Sequence, residues 1–218
     1  MSATHDSTTA GSNGLAVPAH RHLWIVTGPA GCGKTTVAEY LAKYFSLPYL
    51  EGDSVCSMRL PDLADKALTG KQFHPKANVE KMAHGIPLTD ADRWDWLILL
   101  RQQSLASLEA GATGVVLTCS ALKRKYRDVI RIAAYNDPQV KVHFIFLSAS
   151  SELLFQRVHA RVGHYMKDDM VRSQLETLEL PQQDETDVLT VDVSGDFASV
   201  HKLALGVVNT VMAKDAGQ

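Results

Sequence analysis

The sequence predicts an α/β fold in three layers, α/β/α: a five-stranded parallel sheet with helices against both faces. Two observations carry that expectation. Short β-rich apolar runs alternate along the chain with segments whose apolar residues repeat at helical spacing. The runs are almost continuously apolar rather than alternating, as strands are when both faces of their sheet are covered.

The elements follow in order. Residues 1–21 are rich in Ser, Thr, Ala and Gly and read as a disordered leader. They have neither a basic start nor an apolar centre, so they do not form a secretory signal. One domain follows over 22–214. LWIVT, Leu23 to Thr27, is the first strand and ends at Gly28. Lys34 to Phe45 is a helix, with Val37, Leu41, Tyr44 and Phe45 on one stripe. Pro48 to Glu51 is the second strand. Within the segment 55–72, Leu63, Ala64, Ala67 and Leu68 share one stripe between Pro61 and Gly70, a short amphipathic helix. Thr89 to Ala110 is a long helix: Thr89 is the N-cap, Asp90 and Asp92 suit the first turn, and Gly111 stops it. Val115 to Cys119 is the third strand, followed by a Lys/Arg-rich helix. Val142 to Leu147 is the fourth strand, with a helix from Ser150 to Arg161 after it. A helix over Asp168 to Leu180 ends before Pro181. Val188 to Val193 is the fifth strand, and Ser199 to Ala213 closes the domain as a helix.

Composition narrows the function classes. At 218 residues with 45% hydrophobic and 21% charged residues, the chain suits one soluble core. A net charge of −2 argues against general nucleic-acid coating. No apolar run approaches the roughly 18 residues of a membrane span. The three cysteines, Cys32, Cys56 and Cys119, form no CxxC pair and suit a reducing compartment, so the cytoplasm is the expected location.

In open parallel sheets, ligands bind beyond the carboxyl ends of the strands. Here that rule selects 28–36, 52–54, 120–127, 148–151 and 194–196. The first of these contains GPAGCGKT, Gly28 to Thr35, a full match to GxxxxGK(S/T) lying between a strand and a helix. Four fixed positions recur by chance in only about one chain in a hundred of this length. Gly28, Gly31 and Gly33 let the backbone curl so that successive N–H groups face one anion, and the helix start adds partial positive charge. Lys34 reaches outer phosphates, and the Thr35 hydroxyl can ligate Mg²⁺. The loop residues Gly28, Pro29, Ala30, Gly31, Cys32, Gly33, Lys34, Thr35 and Thr36 are therefore the expected ATP contacts. A nucleotide hydrolase usually holds Mg²⁺ with an Asp just after an apolar strand. Here the third strand ends in Cys119-Ser120, and the acid follows the second strand instead, as Asp53 in EGDS. That position suits a carboxylate facing both metal and an acceptor hydroxyl. A turn residue without chemistry is the competing account.

Several further segments carry a resemblance: EGD, HPKANVEKMAHGIPLTDADRWDWL, CSALKRKYRD, RVHARVGHYM, SQLETLELP and DVLTVDVSG. With the phosphate loop they span Trp24 to Gly195 and resemble the gluconate kinase family, small single-domain enzymes related to shikimate and nucleoside-monophosphate kinases. The resemblance implies a P-loop kinase fold with a helical lid at about 157–175. It also implies ATP-dependent phosphorylation of D-gluconate to 6-phospho-D-gluconate, feeding the pentose phosphate route, and a homodimer. The chain departs from the family pattern at 55–72, where about 18 extra residues separate Asp53 from His74.

Gluconate carries one carboxylate and several hydroxyls, so its site needs a cation or two and several hydrogen-bonding groups. Lys123 and Arg127 lie four apart on one helix, where like charges repel unless an anion offsets them. His74, Asn78 and Lys81 are the expected partners from the segment after the insertion. Solvated helix faces are the competing account of each cation, and Arg124, Lys125 and Arg131 are assigned to that account. By resemblance, Arg157 lies near adenine or phosphates, Arg161 contacts the transferring phosphoryl group, and His164 and Gln174 touch gluconate. Trp94 and Trp96 are expected to be packing residues. Lys34, Asp53 and Arg161 are thus the expected catalytic residues, with Thr35 and Asp53 toward the metal. Two rivals remain at this point: a kinase for shikimate or a nucleoside monophosphate, and a nucleotide-binding protein without catalysis.

Overall fold

In a computed structural model of the chain, the residues described are 19–52, 81, 88–160 and 167–217. The segment 55–72 and its expected helix lie outside them.

Among the described residues, five strands form one sheet: β1 (Arg21–Thr27), β2 (Tyr49–Glu51), β3 (Gly114–Thr118), β4 (Val140–Ser148) and β5 (Val188–Asp192). Every pairing is parallel and the order is β2-β3-β1-β4-β5. The helices bounded within the described residues are α1 (Lys34–Phe45), α2 (Asp90–Glu109), α3 (Arg124–Asn136), α4 (Ser151–His159), α5 (Lys167–Thr177) and α6 (Phe197–Ala216).

The pleat of the strands sorts residues between two cores, because successive side chains leave opposite faces. On one face Leu23, Ile25, Val115, Leu117 and Phe144 meet α2 and α3 through Trp96, Leu97, Leu100, Tyr126 and Ile130. On the other, Trp24, Val26, Val116, Ile145 and Leu147 meet α1, α4 and α6 through Val37, Leu41, Leu154, Val200 and Ala204. Leu23, Ile25, Leu117, Phe144 and Ile145 have no exposed surface. Each such side chain contributes about 1.5–3 kcal/mol by leaving water.

Local signals explain the helix starts. Thr89 and Asp92 form the capping box of α2, with Thr89 Oγ1 accepting from Asp92 N–H and Asp92 accepting from Thr89 N–H. Ser150 caps α4 by accepting from Leu153 N–H, and Asp196 caps α6 by accepting from Ser199 N–H. The Glu179 carboxylate caps α3 from outside the helix, accepting from Arg124 N–H at 2.7 Å. By contrast, α1 begins after Gly33 with no side-chain cap and no acid in its first turn. Its first amide donors are left to an outside acceptor, at the carboxyl end of the central strand β1.

Candidate functional site

The phosphate loop links β1 to α1. Gly28, Gly31 and Gly33 have φ of +139°, +87° and +96°, a region that L side chains rarely enter. A Cβ at Gly28 would also lie 2.9 Å from Cys32 Sγ and 3.0 Å from Leu147 O, so this turn takes only glycine. Lys34 Nζ folds back onto the loop and donates to Gly28 O at 3.0 Å and Pro29 O at 3.1 Å. Cys32 is 2% exposed, and burial pushes its thiol pKa up, which makes it a packing group of the loop.

Beside the loop is a cavity of about 310 Å³, lined by Cys32, Gly33, Thr36, Arg157, Gly195 and Phe197 among others. The expected nucleotide contacts Thr36 and Arg157 thus share one wall with the turn after β5. Arg157 Nη2 donates to Val193 O at 2.7 Å, which holds the guanidinium at the cavity. His201 also lines the cavity, and its ring stacks on that of Tyr40 at 4.0 Å.

On the other side of the loop, a carboxylate that the sequence reading passed over faces Thr35. Thr35 Oγ1 donates to Glu51 Oε2 at 3.2 Å, and Thr118 Oγ1 donates to Glu51 Oε1 at 2.6 Å. The Tyr49 hydroxyl also donates to Glu51 Oε2, and burial, then this bond, raises the Tyr49 pKa. Because Thr35 gives its proton to Glu51, its oxygen lone pairs stay open to a cation. A hydroxyl and a carboxylate are hard oxygen donors, the set that suits Mg²⁺. The local signal was the Tyr-x-Glu spacing, which puts both side chains on one face of β2. The pairing Glu51↔Thr118 supplies the rest, and it is known only once β2 and β3 are neighbours.

Gly52 fixes where the chain leaves β2. Its N–H donates to Thr118 Oγ1, and its carbonyl accepts from Trp96 Nε1, each at 3.0 Å. A Cβ there would sit 2.0 Å from Thr118 O, so only glycine permits the approach. Trp96 is therefore a packing residue with a positioning bond, and Trp94 packs edge-on against Tyr126. Asp53, the next residue, lies outside the described residues, as do His74, Asn78, Arg161 and His164.

Two of the cations expected on the acceptor side converge on the first turn of α2. Lys81 Nζ lies 2.7 Å from Asp92 Oδ1, and Lys123 Nζ lies 3.3 Å from Asp90 Oδ1. Asp90 also accepts from Lys125 Nζ and the Tyr126 hydroxyl, and these donors hold its carboxyl well below the usual range. Asp92, held chiefly by Lys81, is lowered to about 2.

Two expectations change, and a third residue gains a partner on the phosphate loop. Arg127 does not face the acceptor side: it is 1% exposed and clamps Glu185 with Nε and Nη2, each at 2.7 Å. Arg131 is not a solvated cation but bonds Glu185, Asp187 and Asp128. Gln174 meets the phosphate loop, its Oε1 accepting from Ala30 N–H at 2.7 Å.

The comparisons fit this geometry. Residues 23–181 match the family model described as AAA domain. A probable gluconokinase of Schizosaccharomyces pombe is 40% identical over 194 residues, 88% of this chain and 91% of that protein. The gluconokinase of Gluconobacter oxydans is 40% identical over 172 residues, 79% of this chain and 82% of that protein. The chain belongs to the gluconokinase family. The crystal structure of a gluconokinase from Sinorhizobium meliloti superposes with a TM-score of 0.70 at 34% identity, covering 90% of this chain and 96% of that one. The gluconokinase assignment thus extends over both the strand ends that bear the phosphate loop and the α2–α3 segment that bears Lys123.

Proposed function

We propose that the protein transfers the γ-phosphoryl group of ATP to D-gluconate, giving 6-phospho-D-gluconate and ADP. The observation that carries this reading is a family match over nearly the whole chain, joined to an intact phosphate loop whose Lys34 and Thr35 are in place. Phosphoryl transfer has a loose transition state, so the protein's work is alignment and charge neutralisation. Lys34 swings from its loop carbonyls to the outer phosphates, and the uncapped amides of α1 take the remaining oxygens. Arg157 flanks the base or phosphates from the cavity wall, and Arg161 takes the charge of the transferring group. Thr35 and Glu51 are the residues that would hold Mg²⁺, with Asp53 beyond Gly52; when bound, it neutralises phosphate charge. Asp53 orients the terminal hydroxyl of gluconate and accepts its proton as the new O–P bond forms and the bond to ADP breaks. His74, Asn78, Lys81, Lys123 and His164 hold the polyol acid. Lys81 and Lys123 exchange their pairing with Asp92 and Asp90 for the gluconate carboxylate.

We place the enzyme in the cytoplasm as a homodimer, and no described helix is long and apolar enough to cross a membrane. The test is coupled detection of ADP across a panel of gluconate, shikimate and nucleoside monophosphates. Gluconate-dependent ADP release is expected. Turnover with another acceptor and none with gluconate overturns the reading.

A further inference from the structure

Arg127 is, after Trp24, the largest fully buried side chain described, and a buried guanidinium needs a compensating set of acceptors. It has one. While Nε and Nη2 grip the Glu185 carboxylate, Nη1 reaches the carbonyl oxygens of Ala121 at 3.3 Å, Leu122 at 3.4 Å and Glu179 at 3.2 Å. The first two carbonyls belong to the turn between β3 and α3. That turn is under strain, because Ala121 has φ of +37°, a left-handed conformation that its Cβ disfavours.

The same turn is fastened at its other end to the phosphate loop. Ser120 O accepts from Thr27 Oγ1 at 2.5 Å and from Gly28 N–H at 3.4 Å. It leads directly into Lys123, whose carbonyl accepts from Tyr126 and Arg127 N–H, so the turn sets where the Lys123 side chain begins. Leu122 O also accepts from Glu179 N–H at 2.9 Å. The turn therefore spans from the phosphate loop to the segment that follows α5, with Arg127 bonded to both the turn and that segment.

We propose that Arg127 is a positioning residue for phosphoryl transfer. It holds the Ser120–Lys123 turn in its left-handed form and so sets the separation between the phosphate loop and the acceptor-side cation Lys123. The inference rests on the gluconate kinase reading. Lysine cannot replace arginine here: a single ammonium lacks the planar fork that meets a carboxylate and a row of carbonyls together. Glu185 balances the buried charge and is itself held by Arg131 Nη2 at 2.7 Å.

Three variants test this in the intact chain: Arg127→Lys, the apolar pair Arg127→Met/Glu185→Leu, and Arg127→Lys/Ala121→Gly. Apolar replacement of a whole buried ion pair commonly preserves folding, and Arg127→Lys retains the charge. A catalytic misplacement of about 1 Å costs roughly 10²-fold, so kcat/KM for gluconate should fall by about that factor in the first two variants. KM for ATP should change by less than about twofold. Glycine takes the left-handed form without strain, so Ala121→Gly should recover part of the gluconate loss. Three results overturn the proposal: an unchanged gluconate kcat/KM, a KM for ATP that rises as far as the gluconate kcat/KM falls, or no recovery by Ala121→Gly. A wild-type chain with no gluconate-dependent turnover defeats the function and this inference together. An active wild type with unaffected variants defeats the inference alone.

Discussion

Glu51→Gln replaces one carboxylate oxygen by an amide and leaves the backbone of β2 as it is. In the native site three hydroxyls, from Thr35, Tyr49 and Thr118, all donate to this carboxylate. An ionised carboxylate accepts at both oxygens, whereas the amide has one acceptor and two donors. At least one of the three hydroxyls must then turn its proton elsewhere: Thr35 and Tyr49 where the amide nitrogen takes the Oε2 place, Thr118 where it takes the Oε1 place. If Thr35 turns, its lone pairs no longer face the place where the proposed Mg²⁺ would be held. The site also loses a negative charge. Partners that orient metal ligands typically cost about 10–100-fold in metal affinity when removed. The half-saturating Mg²⁺ concentration should therefore rise by about 10–100-fold, with a smaller loss of kcat at saturating Mg²⁺. Initial rates across a Mg²⁺ titration measure the first effect. Electron paramagnetic resonance of Mn²⁺ with ADP gives a binding constant that does not depend on turnover. Unchanged Mn²⁺ affinity, in a variant whose melting temperature is preserved, would refute the role assigned to Glu51.

Asp53→Asn should lower kcat by about 10²-fold or more, the scale of general-base catalysis; an unchanged kcat removes Asp53 from the chemistry. Gln174→Ala should raise KM for ATP and spare KM for gluconate, because its oxygen holds the Ala30 amide of the phosphate loop; the reverse pattern supports the gluconate contact that the resemblance implies. Acid should destabilise the fold in two stages. Burial lowers the His143 pKa to about 4, so the unfolded chain binds the extra proton and stability falls as pH drops from about 6.5 to 4. His22, Lys141, Asp187 and Asp215 are the charged or titratable groups acting on His143. Glu185, lowered to about 2 chiefly by Arg127, stabilises above its unfolded pKa, and that contribution is lost as pH falls from about 4.5 to 2. Melting temperatures across pH 2–8 for wild type and His143→Phe should show the upper stage flattened in the variant; an identical profile refutes the assignment.

What could be read from the sequence divides by the distance over which the information lies. Helix α1 has its cause within a few residues, a glycine-rich turn followed by an apolar stripe, and it falls where that pattern puts it. The capping of α2 by Thr89 is equally local. The fourth strand is longer than its apolar run, extending through Lys141 to Val140, since it pairs with β1 along the whole of Arg21–Thr27. His143 on that strand looks polar in sequence but stacks on Trp24 at 4.5 Å, a contact set by sheet order. Arg127 illustrates the limit. Two cations four apart on a helix look like an anion site, and nothing nearby says that one of them belongs to an acid 58 residues away. The spacing was visible, but the direction in which each side chain leaves the helix was not.

The placement of the acid follows from topology. With the order β2-β3-β1, the phosphate loop at the end of β1 is separated from β2 by β3 alone. An acid at the end of β3 would be the nearest route to the Thr35 hydroxyl. In this chain β3 ends in Thr118, whose short side chain instead bridges the gap, accepting from Gly52 N–H and donating to Glu51. The longer glutamate on the edge strand then spans the width of that threonine to reach Thr35. With the acid one strand further out, the turn after β3 carries no carboxylate. On the proposed reading, Ser120 to Lys123 then connect the phosphate loop to the cation Lys123 of the acceptor side. On this account the missing acid of β3 and the buried Arg127 have one origin. A Thr118→Asp substitution should therefore disturb Glu51, by placing two carboxylates side by side, more than it assists the metal. The measurable consequence is weaker Mn²⁺ binding with ADP than in wild type, and tighter binding would contradict it.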